Sequence, residues 1–154
     1  MTDQNLTDIT IVLDRSGSMA SVRADTIGGF NEFLRKQREA NIGECRVSLV
    51  QFDDQYETVY ADRPVAVAAD LTSETFVPRG STALNDAIGK TIAATGARYA
   101  ALPELMRPGK VLFVIVTDGG ENASKEYTGA KVQEMIVQQR DKYCLLYTSP
   151  SPRD

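Results

Sequence analysis

The spacing of apolar residues changes several times along the chain, and each change marks an element. Asp8–Asp14, DITIVLD, is a short β-branched apolar run closed by polar residues and glycine, which predicts a buried strand. The tight loop Arg15-Ser16-Gly17-Ser18-Met19 follows it. Asp25–Ala40 carries Ile27, Phe30, Phe33 and Leu34 at helical spacing and ends near Asn41 and Gly43. Arg46–Phe52 alternates as a second strand and Tyr56–Tyr60 as a third, with Asp53-Asp54-Gln55 as the hairpin turn between them. Leu71–Phe76 is expected as a short helix and 78–81 as a loop. Thr82–Ala100 places Leu84, Ala87, Ile88, Ile92 and Ala93 on one helical face. Lys110–Thr117, KVLFVIVT, has the continuous apolar character of a central parallel strand. Tyr127–Tyr143 is expected as a last helix, with Val132, Met135, Ile136 and Gln139 on one side. Strands alternating with helices predict an α/β domain with a mainly parallel sheet.

Composition narrows the chemistry. The 154 residues, 42% hydrophobic and 25% charged, suit one domain with a single core. The longest apolar run, Val111–Val116, is too short to cross a bilayer. Met1–Thr7 is polar and lacks the pattern of a secretion signal, so a cytoplasmic location is expected. The absence of histidine excludes Ser-His-Asp and Cys-His catalysis and histidine-ligated zinc. Cys45 and Cys144 are too few for a thiolate metal site or a disulfide scaffold. A net charge of −4 without a basic run gives no electrostatic reason to bind nucleic acid or an anionic membrane. Carboxylates, hydroxyls, lysines and any hard metal they hold remain.

Those groups concentrate after the apolar strands. Asp14, Ser16 and Ser18 follow the first strand, Asp118 follows Lys110–Thr117, and Thr82 opens the helix after a Gly-Ser loop. In an open α/β sheet, ligands bind beyond the carboxyl ends of the strands. Two carboxylates and three hydroxyls, with no nitrogen or sulfur donor, select a hard cation. The low carboxylate count suits a partly hydrated Mg²⁺ or Mn²⁺ better than Ca²⁺.

These segments resemble the von Willebrand factor type A (vWA) domain, in particular its small bacterial and phage members. Asp14, Ser16 and Ser18 in DRSGSM, Thr82 in GSTALNDAI and Asp118 in VTDGGENAS match the positions of that family's metal-ion-dependent adhesion site. The resemblance implies a Rossmann-like, doubly wound sheet with helices on both faces. It implies that Ser16, Ser18 and Thr82 meet the metal directly or through water, and that Asp14 and Asp118 act partly through waters and hydrogen bonds. It also implies that an acidic side chain of a partner protein completes the coordination. Met19, Arg79, Gly80, Glu121 and Asn122 are candidates for the rim that such a partner meets.

The C-terminus departs from the family pattern, which continues with further strands and a final helix. Cys144–Asp154, CLLYTSPSPRD, resembles one reading frame of a transposase sequencing adapter, the alternative being an ordinary Pro-rich terminus. The expectation is therefore a non-native tail over 144–154 and an incomplete domain over 1–143. Strand Lys110–Thr117 is then expected to become an exposed apolar edge. Elsewhere, Asp53, Asp54 and Glu57 could form a second cation site, although turn chemistry explains them better. Cys45 reads as a small buried residue, and Gly28-Gly29 as a pair permitting close approach of a helix to the sheet.

The function expected is a Mg²⁺-dependent protein-binding module rather than an enzyme. The alternative is a Mg²⁺-dependent phosphohydrolase with Asp14 as nucleophile. That chemistry calls for a second acid two residues further on, where Ser16 stands.

Overall fold

The computed structural model describes residues 3–40, 44–81, 83–116 and 145–148. Its strands are β1 (Asp3–Asp14), β2 (Glu44–Phe52), β3 (Tyr56–Pro64), β4 (Pro108–Val116) and β5 (Leu145–Thr148); its α-helices are α1 (Arg23–Ala40) and α2 (Leu84–Ala100). The sheet order is β3-β2-β1-β4-β5. All neighbours are parallel except the β2–β3 hairpin. From β1 the chain steps to β2 on one side, and after β3 it returns to β4 on the other. Helix α1 packs on one face of the sheet and α2 on the other.

The core records that arrangement. Ile9, Ile11 and Leu13 of β1 join Val47, Leu49, Phe30 and Leu34 in one cluster, on the α1 face. Val12 joins Phe52, Phe113, Ile115, Ala87, Ile88 and Ile92 in the other, on the α2 face. β1 is therefore buried on both sides, yet its α2 face also carries Asp8, Thr10 and Asp14, all buried. The two aspartates sit at opposite ends of the strand. Asp14 closes it at the carboxyl edge. Asp8 meets the last turn of α2, where Arg98 Nη2 donates to its Oδ2 at 2.8 Å and the Tyr99 hydroxyl donates to the same oxygen. Burial, then the charge of Asp8, pushes the Tyr99 phenol pKa up.

Several expectations change. Leu71–Phe76 is a single turn and not a helix, because Thr72 and Thr75 bond each other and the local backbone through their hydroxyls. Leu71 and Phe76, both buried, anchor its ends. β3 runs four residues further than the alternation indicated. The edge expected beside β4 is filled, since Leu145–Thr148 pairs in parallel with Val111–Val114. An apolar, extended segment satisfies the ladder groups of an open strand, which is why this segment seats there. The helix expected over Tyr127–Tyr143 lies outside the described residues. Cys45 is half-buried, and burial, followed by the charge of Asp8, raises its thiol pKa.

Gly28 and Gly29 do not approach the sheet. Both are exposed, and a Cβ at either would meet nothing within 4 Å. Replacing either by alanine is expected to stabilise the fold by about 0.5–1 kcal/mol, through the lower helix propensity and larger unfolded-state entropy of glycine. Urea midpoints of the two variants check this; an unchanged or lower midpoint contradicts the propensity argument.

Candidate metal site

The carboxyl end of β1 is where the chain's two lateral excursions diverge, the position at which open α/β sheets bind ligands. Asp14 is fully buried there and Ser16 almost so. The Ser16 amide donates to Asp14 Oδ1 at 2.7 Å, folding the loop back over the strand end. This is an Asx turn, available because the aspartate side chain can take a backbone amide two residues on. The chain then enters the 3-10 turn Gly17–Val22, with Met19 donating its amide to the Ser16 carbonyl.

Backbone hydrogen bonds bring a second loop alongside. The Gly17 amide donates to the Gly80 carbonyl at 3.0 Å, and the Arg79 amide to the Arg15 carbonyl at 2.7 Å. The Arg15 amide donates to the Phe52 carbonyl at 2.7 Å, and the Ala83 amide to the Asp53 carbonyl at 2.9 Å. Three segments distant in sequence thus meet at one sheet edge. Gly80 makes its turn with φ +73°, and a Cβ there would lie 3.3 Å from Asp54 Oδ1. Gly80→Ala is expected to lose about 1–2 kcal/mol, the penalty for a side chain in left-handed backbone. A denaturant midpoint equal to wild type contradicts that strained turn.

The candidate residues divide accordingly. Asp14 and Ser16 share one loop, and the Gly80 loop that leads to Thr82 is hydrogen-bonded to it. Thr82, Asp118, Glu121 and Asn122 lie outside the described residues, as does the side chain of Ser18. Val116 pairs with Leu13, so β4 ends at the same edge as β1. Met19, expected on the rim, is instead 2% exposed and belongs to the α1-side core cluster. Its long apolar side chain anchors the loop from beneath.

Arg79 has a specific role that its surface position did not suggest. Its side chain is 59% exposed, yet its Nε lies 3.0 Å from Asp53 Oδ2. Arg15 Nε reaches the same oxygen at 3.3 Å, and Arg15 Nη1 pairs with Glu57. Asp53 Oδ1 accepts the Gln55 amide at 2.7 Å. Burial alone would raise the Asp53 pKa, but the Gln55 amide, Arg79 and the charge of Arg15 together hold it below the usual carboxylate value. A second cation site at Asp53 and Glu57 has no place here, because guanidinium groups occupy these carboxylates. Opposite charges in DRSGS and FDDQYE were the only sequence signal for this cluster. Among the described residues, no group of three or more acidic or thiol side chains could hold a metal. Of the buried carboxylates at this edge, Asp53 is taken up by guanidinium groups, while Asp14 and Ser16 offer oxygen donors of the kind a hard cation takes.

The sequence model of the von Willebrand factor type A domain family matches residues 8–148, and the chain belongs to that family. Solved structures share its fold. A von Willebrand factor type A protein from Catenulispora acidiphila aligns with TM-score 0.59 at 15% identity, covering 96% of this chain and 33% of that one. The pilus adhesin SpaC from Lactobacillus rhamnosus GG, in its open conformation, aligns with TM-score 0.66 at 15% identity, over 96% of this chain and 24% of that one. The ArnB paralog VWA2 from Sulfolobus acidocaldarius gives 0.56 at 13% identity, over 95% and 34%. The chain thus spans about a third or less of these structures' length. No curated protein matches it in sequence. Domains of this family generally work in metal-dependent protein interaction. No helix among the described residues is long and apolar enough to cross a membrane.

Proposed function

We propose that this chain is a divalent-metal-dependent protein-binding module. Asp14, Ser16, Ser18, Thr82 and Asp118 are the residues that would hold Mg²⁺ or Mn²⁺. When bound, the cation supplies a Lewis-acidic position for a carboxylate of the partner protein. The chain's own residues orient and exclude water: Asp14 is buried and aligned by the Ser16 amide, while Met19 anchors the loop in the core. Arg79 and Gly80, with Glu121 and Asn122, form the rim that selects the partner. The observation that carries this reading is the hydrogen bond from Gly17 to Gly80, which joins the Asp14–Ser16 loop to the segment leading into Thr82. The name of one similar structure, a pilus adhesin, agrees with a binding role.

Binding rather than catalysis also follows from the donor set. A phosphohydrolase using Asp14 as nucleophile needs a general acid nearby, and Ser16 offers only a neutral hydroxyl. The reading is tested by titrating Mn²⁺ and following its paramagnetic resonance signal. Wild type is expected to bind the ion saturably and Asp14→Ala not to do so. Equal binding by both proteins overturns the site. Turnover of an aryl phosphate that disappears in Asp14→Asn overturns the binding-only function.

A further inference from the structure

The Arg15–Asp53–Arg79 cluster lies outside the proposed ligand set, yet it touches both the loop that carries Asp14 and Ser16 and the loop that leads to Thr82. Arg15 stands between Asp14 and Ser16 in sequence. Arg79 precedes Gly80, whose carbonyl receives the Gly17 amide. Asp53 is 1% exposed and sits between the two, taking both guanidinium groups on Oδ2. Its main chain reaches further: the amide donates to the Gln55 carbonyl, and the carbonyl accepts the amide of Ala83, the residue after Thr82. The Cβ and Cγ of Asp53 also lie 3.5 and 3.6 Å from where a Gly80 Cβ would stand. One side chain is therefore packed under the second loop, ion-paired to both loops and joined through its backbone to the start of α2.

Such placement has an energetic reason. Two arginines beside a cation site oppose the cation, and a buried guanidinium without a counter-charge is strongly unfavourable. Asp53 pairs with both, so the loops can close without leaving those charges uncompensated. We infer that Asp53 is the positioning residue of the metal site, setting metal affinity by holding the Asp14–Ser16 loop against the Arg79–Gly80 loop through Arg15 and Arg79. This rests on the metal-binding reading proposed above. Asp53 touches no cation itself; it acts on the register of the groups that do. Groups at one remove from a metal typically change its affinity by about 10- to 100-fold when altered.

Mn²⁺ titration of wild type, Asp53→Asn, Arg79→Gln and the double variant tests the inference, with thermal unfolding of each metal-free protein recorded alongside. Asp53→Asn is expected to weaken Mn²⁺ binding by about 10- to 100-fold while every proposed ligand remains in the sequence. Arg79→Gln is expected to weaken it by a smaller factor. The double variant is expected to resemble Asp53→Asn, because partners in one contact are not additive. Arg79 is largely exposed, so Arg79→Gln carries the test if Asp53→Asn does not fold. Metal-free stability that falls while Mn²⁺ affinity stays at the wild-type value overturns positioning in favour of a structural role alone. Tighter binding by Arg79→Gln overturns it in favour of simple charge cancellation. Wild type that does not bind Mn²⁺ overturns the metal site and this inference together, an outcome distinct from the other two.

Discussion

Replacing Arg98 by methionine is expected to destabilise the fold by about 3 kcal/mol, although Arg98 lies at the opposite end of β1 from the candidate site. Asp8 is 2% exposed and takes two donors, Arg98 and Tyr99, on a single oxygen. Its other oxygen, and the neighbouring Thr10 hydroxyl, have no partner among the described residues. Removing Arg98 leaves a buried carboxylate with one neutral donor. Methionine keeps much of the apolar stem, so lost packing contributes little. The Arg98 side chain is 30% exposed, which puts the effect at the lower end of the range for broken buried pairs. A domain of this length should lose roughly 6–12 °C in Tm. Asp8→Asn combined with Arg98→Met should lose less than Arg98→Met alone, because the unpaired charge is gone. Equal losses in the single and double variants would contradict a charge-based role for Arg98.

That pair also shows where the sequence was informative and where it was not. Period and composition were sufficient for β1, β2, β4, α1 and α2, because each carries a long apolar pattern: Ile9, Ile11 and Leu13 on one face, and Ala87, Ile88 and Ile92 on one helical stripe. Alternation did not mark the end of β3, whose later residues are mostly exposed and include Asp62 at φ 52°. Local side-chain bonding decided Thr72–Thr75 against the weak helical pattern there. The pairing of Asp8 with α2 spans 90 residues, and no local rule reports it.

The candidate site divides in the same way. Asp14 and Ser16 stand just beyond a strand, and the Gly80 loop just before a helix, positions that the sequence pattern marks. The side-chain directions did not follow. Met19 looks like a loop tip in DRSGSM, but it lies in the 3-10 turn and is buried in the core cluster that also holds Leu13 and Phe30. Arg15, in the tight loop after β1, is 7% exposed and paired across the β2–β3 turn. A three-dimensional crossing of loops sets both directions, and sequence spacing does not encode that crossing.

The second large effect concerns the cation itself. A ligand that binds the folded state alone, present at 100 times its dissociation constant, stabilises that state by about 2.7 kcal/mol. For a domain of this length the gain corresponds to roughly 5–10 °C in Tm. Asp14 is the carboxylate at the centre of the arrangement, and its removal should abolish the gain. The metal-free Asp14→Ala protein should differ less from metal-free wild type, because the core clusters on both faces of β1 do not depend on it.

Thermal unfolding of wild type and Asp14→Ala, each in EDTA and in excess Mg²⁺, is therefore the most direct measurement of a metal-dependent module. The expected result is a cooperative transition in all four samples, with Mg²⁺ raising Tm by about 5–10 °C in wild type alone. A cooperative wild-type transition that Mg²⁺ leaves unmoved, or moves equally in Asp14→Ala, contradicts the account.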